Sequence, residues 1–173
     1  RQVFGKVDID MVAGPSEILI IADETCDARV AASDLLSQAE HDKLASAVLI
    51  TDSEKLAGAV STELERQIAL LPRKDIARAS IDNRSKIVLV KTLDDAIELS
   101  NKLAPEHLEI CVDNPLPLFD KVENAGSVFL GKNTPEALGD YFAGPNHTLP
   151  TSGTARFSSP LSVYDFVKRY SYT

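Results

Sequence analysis

The chain has 173 residues and a mass of 18.7 kDa, of which 44% are hydrophobic and 25% charged. That is enough for one domain with a sizeable core, and it excludes a disordered, collagenous or coiled-coil chain. With 26 acidic and 18 basic residues the net charge is -8, which repels phosphates and argues against nucleic acid or an anionic membrane surface as a partner.

Glu17 to Ala22 is a continuous, Ile-rich apolar run, as a strand covered on both faces requires. Asp23 to Asp27 is a turn with several helix caps, after which Ala28, Ala31, Ala32, Leu35, Leu36 and Ala39 recur at helical spacing. Ala47 to Ile50 is a second buried strand. Leu56, Ala59, Val60, Leu64, Ile68 and Leu71 share one face of a long helix that Pro72 stops. Ser85 to Val90 is the third strand. Thr92 and Asp95 then open a helix in the manner of a capping box, with Leu93, Ala96, Ile97 and Leu103 as its stripe and Pro105 as its end. Leu108, Ile110 and Val112 alternate with polar or small residues, which predicts a strand with two unlike faces. Leu116 to Val122 reads as a short helix and Gly126 to Leu130 as a fifth strand.

The stretch from Gly139 to Pro160 is dense in Gly, Pro, Ser, Thr and Asn, a loop long enough to be functional. Leu161 to Arg169 resumes a helical pattern in which Val163, Phe166 and Val167 are available to dock. Strand and helix in regular alternation predict an α/β fold: an open, mainly parallel sheet with helices on both faces. Residues 1–160 form one region with 139–160 as its functional loop, and 161–173 is a C-terminal helix leading onward. No apolar run is long enough to cross a bilayer and no targeting segment opens the chain. Cys26 and Cys111 make no disulfide framework and fit a reducing, cytoplasmic setting. Because it starts at Arg1, the chain reads as a processed or excised piece of a longer protein.

In open α/β sheets ligands gather beyond the carboxyl ends of the strands, and four polar clusters are candidates for that place. Gln38 and His41, three apart on a helix, can point at one object; imidazole is a favoured zinc ligand and an amide oxygen an unusual one. The alternative is that His41 simply favours the negative end of the helix. Glu106 and His107 supply two proton-transfer groups of different basicity, whose side chains diverge along an extended chain; a solvent-exposed start of a strand explains them equally well. Asp140 offers an anionic oxygen and His147 another imidazole inside the long loop. All 3 histidines fall in these clusters and none lies on an apolar stripe. Gly14 and Pro15 make a turn presenting Ser16, for which a plain turn before a strand is sufficient explanation. The glycine fingerprints of dinucleotide and P-loop sites are absent, as is the G-x-S-x-G elbow.

Taken together, Met11–Asp23 (MVAGPSEILIIAD), Leu36–Asp42 (LSQAEHD), Ala104–Ile110 (APEHLEI) and Gly139–Gly153 (GDYFAGPNHTLPTSG) closely resemble the histidinol dehydrogenases, in family order over essentially the whole chain. The resemblance implies an incomplete Rossmann-like fold and a cytoplasmic, homodimeric oxidoreductase. Its activity would be zinc-dependent and NAD-linked, oxidising L-histidinol through L-histidinal to L-histidine. It assigns Gln38, His41 and Asp140 as zinc ligands that also contact substrate, with Ser16, His107 and His147 as further substrate contacts. His107 would take the proton of the substrate hydroxyl, and Glu106 would help activate the water that hydrates the aldehyde. The family's N-terminal region, with most of its NAD contacts, has no counterpart here. Neither has its C-terminal tail, with a further zinc-ligating histidine and a substrate-binding glutamate. The expectation is therefore a chain without NAD-binding residues, inactive by itself and weak in zinc. Two other readings remain: a non-catalytic metal-binding or assembly module, and a zinc hydrolase built on Gln38, His41 and Asp140 with Glu106 as base.

Overall fold

A computed structural model describes Val3 and residues 5–173. Its organisation follows from a strand that is apolar on both sides. Ile18 and Ile20 enter one core while Leu19 and Ile21 enter another, and such a strand is stable only in the middle of a covered sheet. Each buried Ile or Leu contributes roughly 1.5–3 kcal/mol, against about 1 kcal/mol for a helix cap, so this strand anchors the fold. The strands β1 (Glu17–Ala22), β2 (Ser46–Thr51), β3 (Lys86–Leu89), β4 (His107–Cys111) and β5 (Ser127–Leu130) form one all-parallel sheet in the order β3-β2-β1-β4-β5.

Helices α1 (Ala28–Ala39), α2 (Glu54–Ile68) and α3 (Lys74–Arg84) cover the face of Ile18 and Ile20. Helices α4 (Leu93–Leu103) and α5 (Leu116–Phe119) cover the face of Leu19 and Ile21. The α/β architecture predicted from the alternation of periods is thus present, with helices on both faces and every strand parallel. The capping box of Thr92 and Asp95 is formed, and α4 ends on Ala104 in the left-handed region (φ 53, ψ 62). That reversal delivers Pro105, Glu106 and His107 straight into β4. Both cysteines are buried and free. Among the described residues, no helix is long and apolar enough to cross a membrane.

Three expectations need correction. The helix expected to run to Leu71 stops at Ile68 as α2, and beyond the turn at Pro72 a second helix that the pattern did not predict, α3, fills Lys74–Arg84. The second helix escapes a reading by large apolar residues because it buries only Ala77 and Ser80, the latter donating its hydroxyl to the Ala45 carbonyl at 2.8 Å. Leu161 to Arg169 forms no α-helix but one 3-10 turn, Val163–Phe166, behind a capping box of Ser162 and Asp165. Val163, Phe166 and Val167 are exposed there, so the turn lacks the buried face that normally sustains a short helix. The two faces of β4 differ in polarity as expected, yet the polar one is not solvated: His107, Glu109 and Cys111 are as buried as Leu108 and Ile110.

The long loop has structure. A short helix, α6 (Glu136–Leu138), runs into a π-helical turn at Gly139–Ala143, and a 3-10 turn follows at Thr154–Arg156. Between them the chain is tied back to β1. Gly14 donates its N–H to Thr151 Oγ1 at 2.7 Å, and Ser152 donates its N–H to Glu17 Oε1 at 3.1 Å.

Candidate active site

Alternation along β4 turns His107, Glu109 and Cys111 away from the core that holds Leu108 and Ile110, toward the side covered by α1. Along α1, Asp34, Gln38 and the following His41 are spaced i, i+4, i+7 and share one helical side. Because α1 returns antiparallel to the sheet, its last turn lies over the amino ends of the strands. Gln38 (2% exposed) and His41 are thereby brought toward His107, the first residue of β4. Beyond β5, α6 and the π-helical turn carry Glu136 and Asp140 to the same place.

Glu17 of β1 holds both groups of the Glu106–His107 pair through its peptide. Its N–H donates to Glu106 Oε2 at 2.9 Å, and its carbonyl lies 2.9 Å from His107 Nδ1. A carbonyl can only accept, so Nδ1 carries the proton and Nε2 presents a bare lone pair. Asp140 Oδ1 is 3.7 Å and Glu136 Oε1 3.9 Å from that nitrogen. Nε2 is buried without a hydrogen-bond partner among the described residues. Leaving a buried polar atom so costs about 1–3 kcal/mol, and such an atom calls for a proton or a cation to meet it.

Burial sets the electrostatics. It pushes the Glu106 carboxyl up to about 7, against the opposing hydrogen bond from the Glu17 amide. It also holds the His107 imidazolium below its ordinary range, with His41 adding a smaller push in the same direction. Glu136 is raised to about 7 by burial first and by Asp140 next. Glu109 (0% exposed) is pushed well up by burial and by Asp34, and its Oε1 accepts the N–H of Glu136 at 2.8 Å. A neutral imidazole thus sits beside a carboxyl that titrates near neutrality, the division of labour that acid–base chemistry at pH 7 requires.

The donors also fit a borderline divalent cation. His107, Glu136 and Asp140 each place one ligand atom within 4.8 Å of the other two, and imidazole nitrogen with carboxylate oxygen is a donor set that zinc accepts. Of the ligands drawn from the resemblance, only Asp140 belongs to this closest three-way approach. Gln38 and His41 border it: Gln38, itself buried, lies close enough to Glu136 to oppose the rise of its carboxyl, and His41 acts electrostatically on His107.

The structure corrects where these groups meet. They converge at the amino ends of β1, β4 and β5, not at the carboxyl ends. The usual crevice, at the carboxyl ends of β1 and β4 where the strand order reverses, is occupied by Lys132, ion-paired to Asp113 and 3.3 Å from Thr25 Oγ1. Glu106 and His107 are buried, which removes the reading of a solvent-exposed start of the strand. Ser16 is half-buried at the rim, next to Glu17. His147 is exposed, and among the described residues no contact ties it to the cluster; its neighbour Asn146 accepts the N–H of Thr148 at 2.6 Å. Sequence reasoning misses Glu17, Glu109 and Glu136. For Glu136 a signal exists, its i, i+4 spacing from Asp140; for Glu109 it is a lone acid within an apolar strand.

Comparison with known proteins places this geometry among relatives. The sequence model of the family described as histidinol dehydrogenase matches residues 1–173. A protein of Bacillus licheniformis named histidinol dehydrogenase is 59% identical over 171 residues, covering 99% of this chain and 40% of the relative. One of Acinetobacter baylyi with the same name is 59% identical over 171 residues, with the same coverage of 99% and 40%. The crystal structure of histidinol dehydrogenase from Elizabethkingia anophelis matches with a TM-score of 0.93 at 44% identity, over 96% of this chain and 38% of that one. The chain spans about 40% of the length of the curated relatives it matches.

Proposed function

The chain belongs to the histidinol dehydrogenase family, and from that membership we propose that it carries the substrate- and zinc-binding centre of an NAD-linked oxidation of L-histidinol through L-histidinal to L-histidine. The observation that carries this reading is the buried, unpartnered Nε2 of His107 facing Asp140. Gln38, His41 and Asp140 would hold the zinc, as three of the ligands that the family resemblance gives it. When bound, zinc supplies a fixed seat for the amine and imidazole of the substrate, and the nicotinamide cofactor supplies the hydride sink. No residue of this chain is assigned to that cofactor. The reading includes a cytoplasmic homodimer as the functional unit.

His107 does the first proton transfer. Hydride leaves a carbinol carbon only as its oxygen loses a proton, and Nε2, free of hydrogen bonds and neutral by burial, is the base in place. The imidazolium so formed keeps its Nδ1–H on the Glu17 carbonyl, which fixes the ring and favours its charge. Glu106, its carboxyl raised to about 7 by burial, exchanges its proton near neutral pH and serves the following step, drawing a proton from the water that adds to the aldehyde. Ser16 at the rim would contact the substrate, and His147 would do so only if the loop carries its exposed imidazole to the cluster. Burial of the pair excludes bulk water from the aldehyde between steps.

Replacing His107 by Asn or Glu106 by Gln in the intact protein is expected to lower histidinol-dependent NADH formation by about 10²–10⁴-fold. Wild-type turnover in both variants contradicts the assignment. Cleavage of esters or amides by the intact protein, without NAD reduction, contradicts the reaction class.

A further inference from the structure

Glu109 lies in the middle of β4, and the chemistry above gives it no part. It is 0% exposed, between the apolar Leu108 and Ile110. Burying a carboxyl there costs free energy unless its oxygens find partners. Both do: Oε1 accepts the N–H of Glu136 at 2.8 Å, and Oε2 accepts from the Cys111 thiol at 3.7 Å.

The first of these partners leads to the site. Glu136 opens α6, a helix of 3 residues whose N-cap, Pro135, makes no side-chain capping bond. The first amides of a helix have no acceptor within it, and a helix this short does not stand by itself. β4 therefore supplies, from another element, the acceptor that Pro135 lacks. Just past α6, Gly139 packs so closely on Phe129 of β5 that a Cβ there would overlap the ring. The same ring lies 6.0 Å, centroid to centroid, from the His107 imidazole. Asp140 comes next, in a π-helical turn of the kind that gathers at functional sites, with its Oδ1 3.7 Å from His107 Nε2. The turn that presents Asp140 is thus held at two points, by Glu109 at its approach and by Phe129 at its first residue.

We propose that Glu109 is a positioning residue for the metal centre: by accepting the N–H of Glu136 it ties α6 and the π-helical turn to β4, and so keeps Asp140 beside His107. The proposal rests on the reading that Asp140 holds zinc. Glu109 acts through the backbone that carries that ligand, not on the ion. Groups that orient metal ligands from behind change metal affinity by about 10- to 100-fold when they are removed.

The test uses the intact enzyme, with zinc affinity measured by chelator competition and the visible spectrum of the cobalt-substituted protein recorded alongside. Glu109→Gln keeps an oxygen for the Glu136 N–H and is expected to hold zinc as wild type does, with the same spectrum. Glu109→Leu suits the strand but leaves that N–H without an acceptor; zinc affinity is expected to fall about 10- to 100-fold and the cobalt spectrum to shift. Glu109→Asp, which draws the carboxyl back by one methylene, is expected to move both in the same direction, and it carries the test if the Leu variant does not fold. A role confined to stability would lower the unfolding temperature of the metal-free protein and leave the spectrum unmoved. Wild-type affinity and an unshifted spectrum in the folded Leu or Asp variant, or a Gln variant as weak as the Leu variant, overturn the positioning role and leave the zinc reading standing. A wild-type enzyme that holds no zinc overturns both.

Discussion

Glu17 performs no chemistry in this account, yet its single peptide group decides what His107 and Glu106 can do. By accepting from Nδ1 it leaves Nε2 as the base, and by donating to Glu106 it opposes the rise of that carboxyl. Burial still wins, and the consequence is measurable as pH-dependent stability. Glu106 has a folded value of about 7 against 4.5 in the unfolded chain, so between these the folded state holds a proton that the unfolded state has released. Stability from this group is fully present below pH 4.5 and is lost as pH rises through about 7. Glu136, also raised to about 7, and Asp34, raised to about 6, have the same sign. His107 has the opposite sign, because its folded value is lowered: its contribution grows with pH and is complete above the ordinary 6.5. From about pH 6.5 to 7.5 the carboxyls alone remain. The unfolding temperature of the chelator-treated protein is therefore expected to fall across that window, and Glu106→Gln to flatten the fall. A calorimetric midpoint that climbs over the same interval contradicts the assignment of burial as the dominant effect.

At the scale of elements, β4 owes its position to its neighbours. The N–H of Ser127 bonds to the Glu106 carbonyl at 2.8 Å, and a Cβ on Gly126 would lie 2.5 Å from the same oxygen. Only glycine lets the β5 chain pass this close to the peptide that carries Glu106. Gly126→Ala must push β5 from β4, and it is expected to destabilise the protein by about 1–3 kcal/mol. It should also depress turnover of the intact enzyme more than zinc content, since it displaces Glu106 before Asp140. Denaturant unfolding with a midpoint equal to wild type contradicts this. Elements are also where sequence patterning shows its reach. β1 is legible as an unbroken apolar run, and α1 because Leu35 and Leu36 join four alanines at helical spacing. α3 is not, because its buried side is only Ala77 and Ser80. The capping box of Ser162 and Asp165 is present in the 3-10 turn without a helix behind it, showing that a start signal is insufficient where no buried face follows.

Across the whole molecule, the site lies where two antiparallel runs meet: the strands begin there and α1 ends there. Gln38, His41, Glu106, His107 and Asp140 stand out in the sequence as polar groups clustered off the apolar stripes. Their convergence at the amino ends follows from the register Ile18↔His107 and from the return of α1, neither of which is written in local pattern. For the same reason the peptide of Glu17 stays invisible until the fold is in hand, and the signals of the buried acids Glu109 and Glu136 are too weak to place them at the site. A peptide group has no sequence signature, and a lone acid within an apolar run reads as a surface residue. The central claim is that Gln38, His41 and Asp140 hold one cation beside Glu106 and His107. Anomalous diffraction at the zinc absorption edge, from crystals of the intact protein, tests it most directly. The account predicts a peak about 2.0–2.2 Å from a nitrogen or oxygen of each of those three side chains; a peak at the carboxyl ends near Lys132, or none on the three side chains, contradicts it.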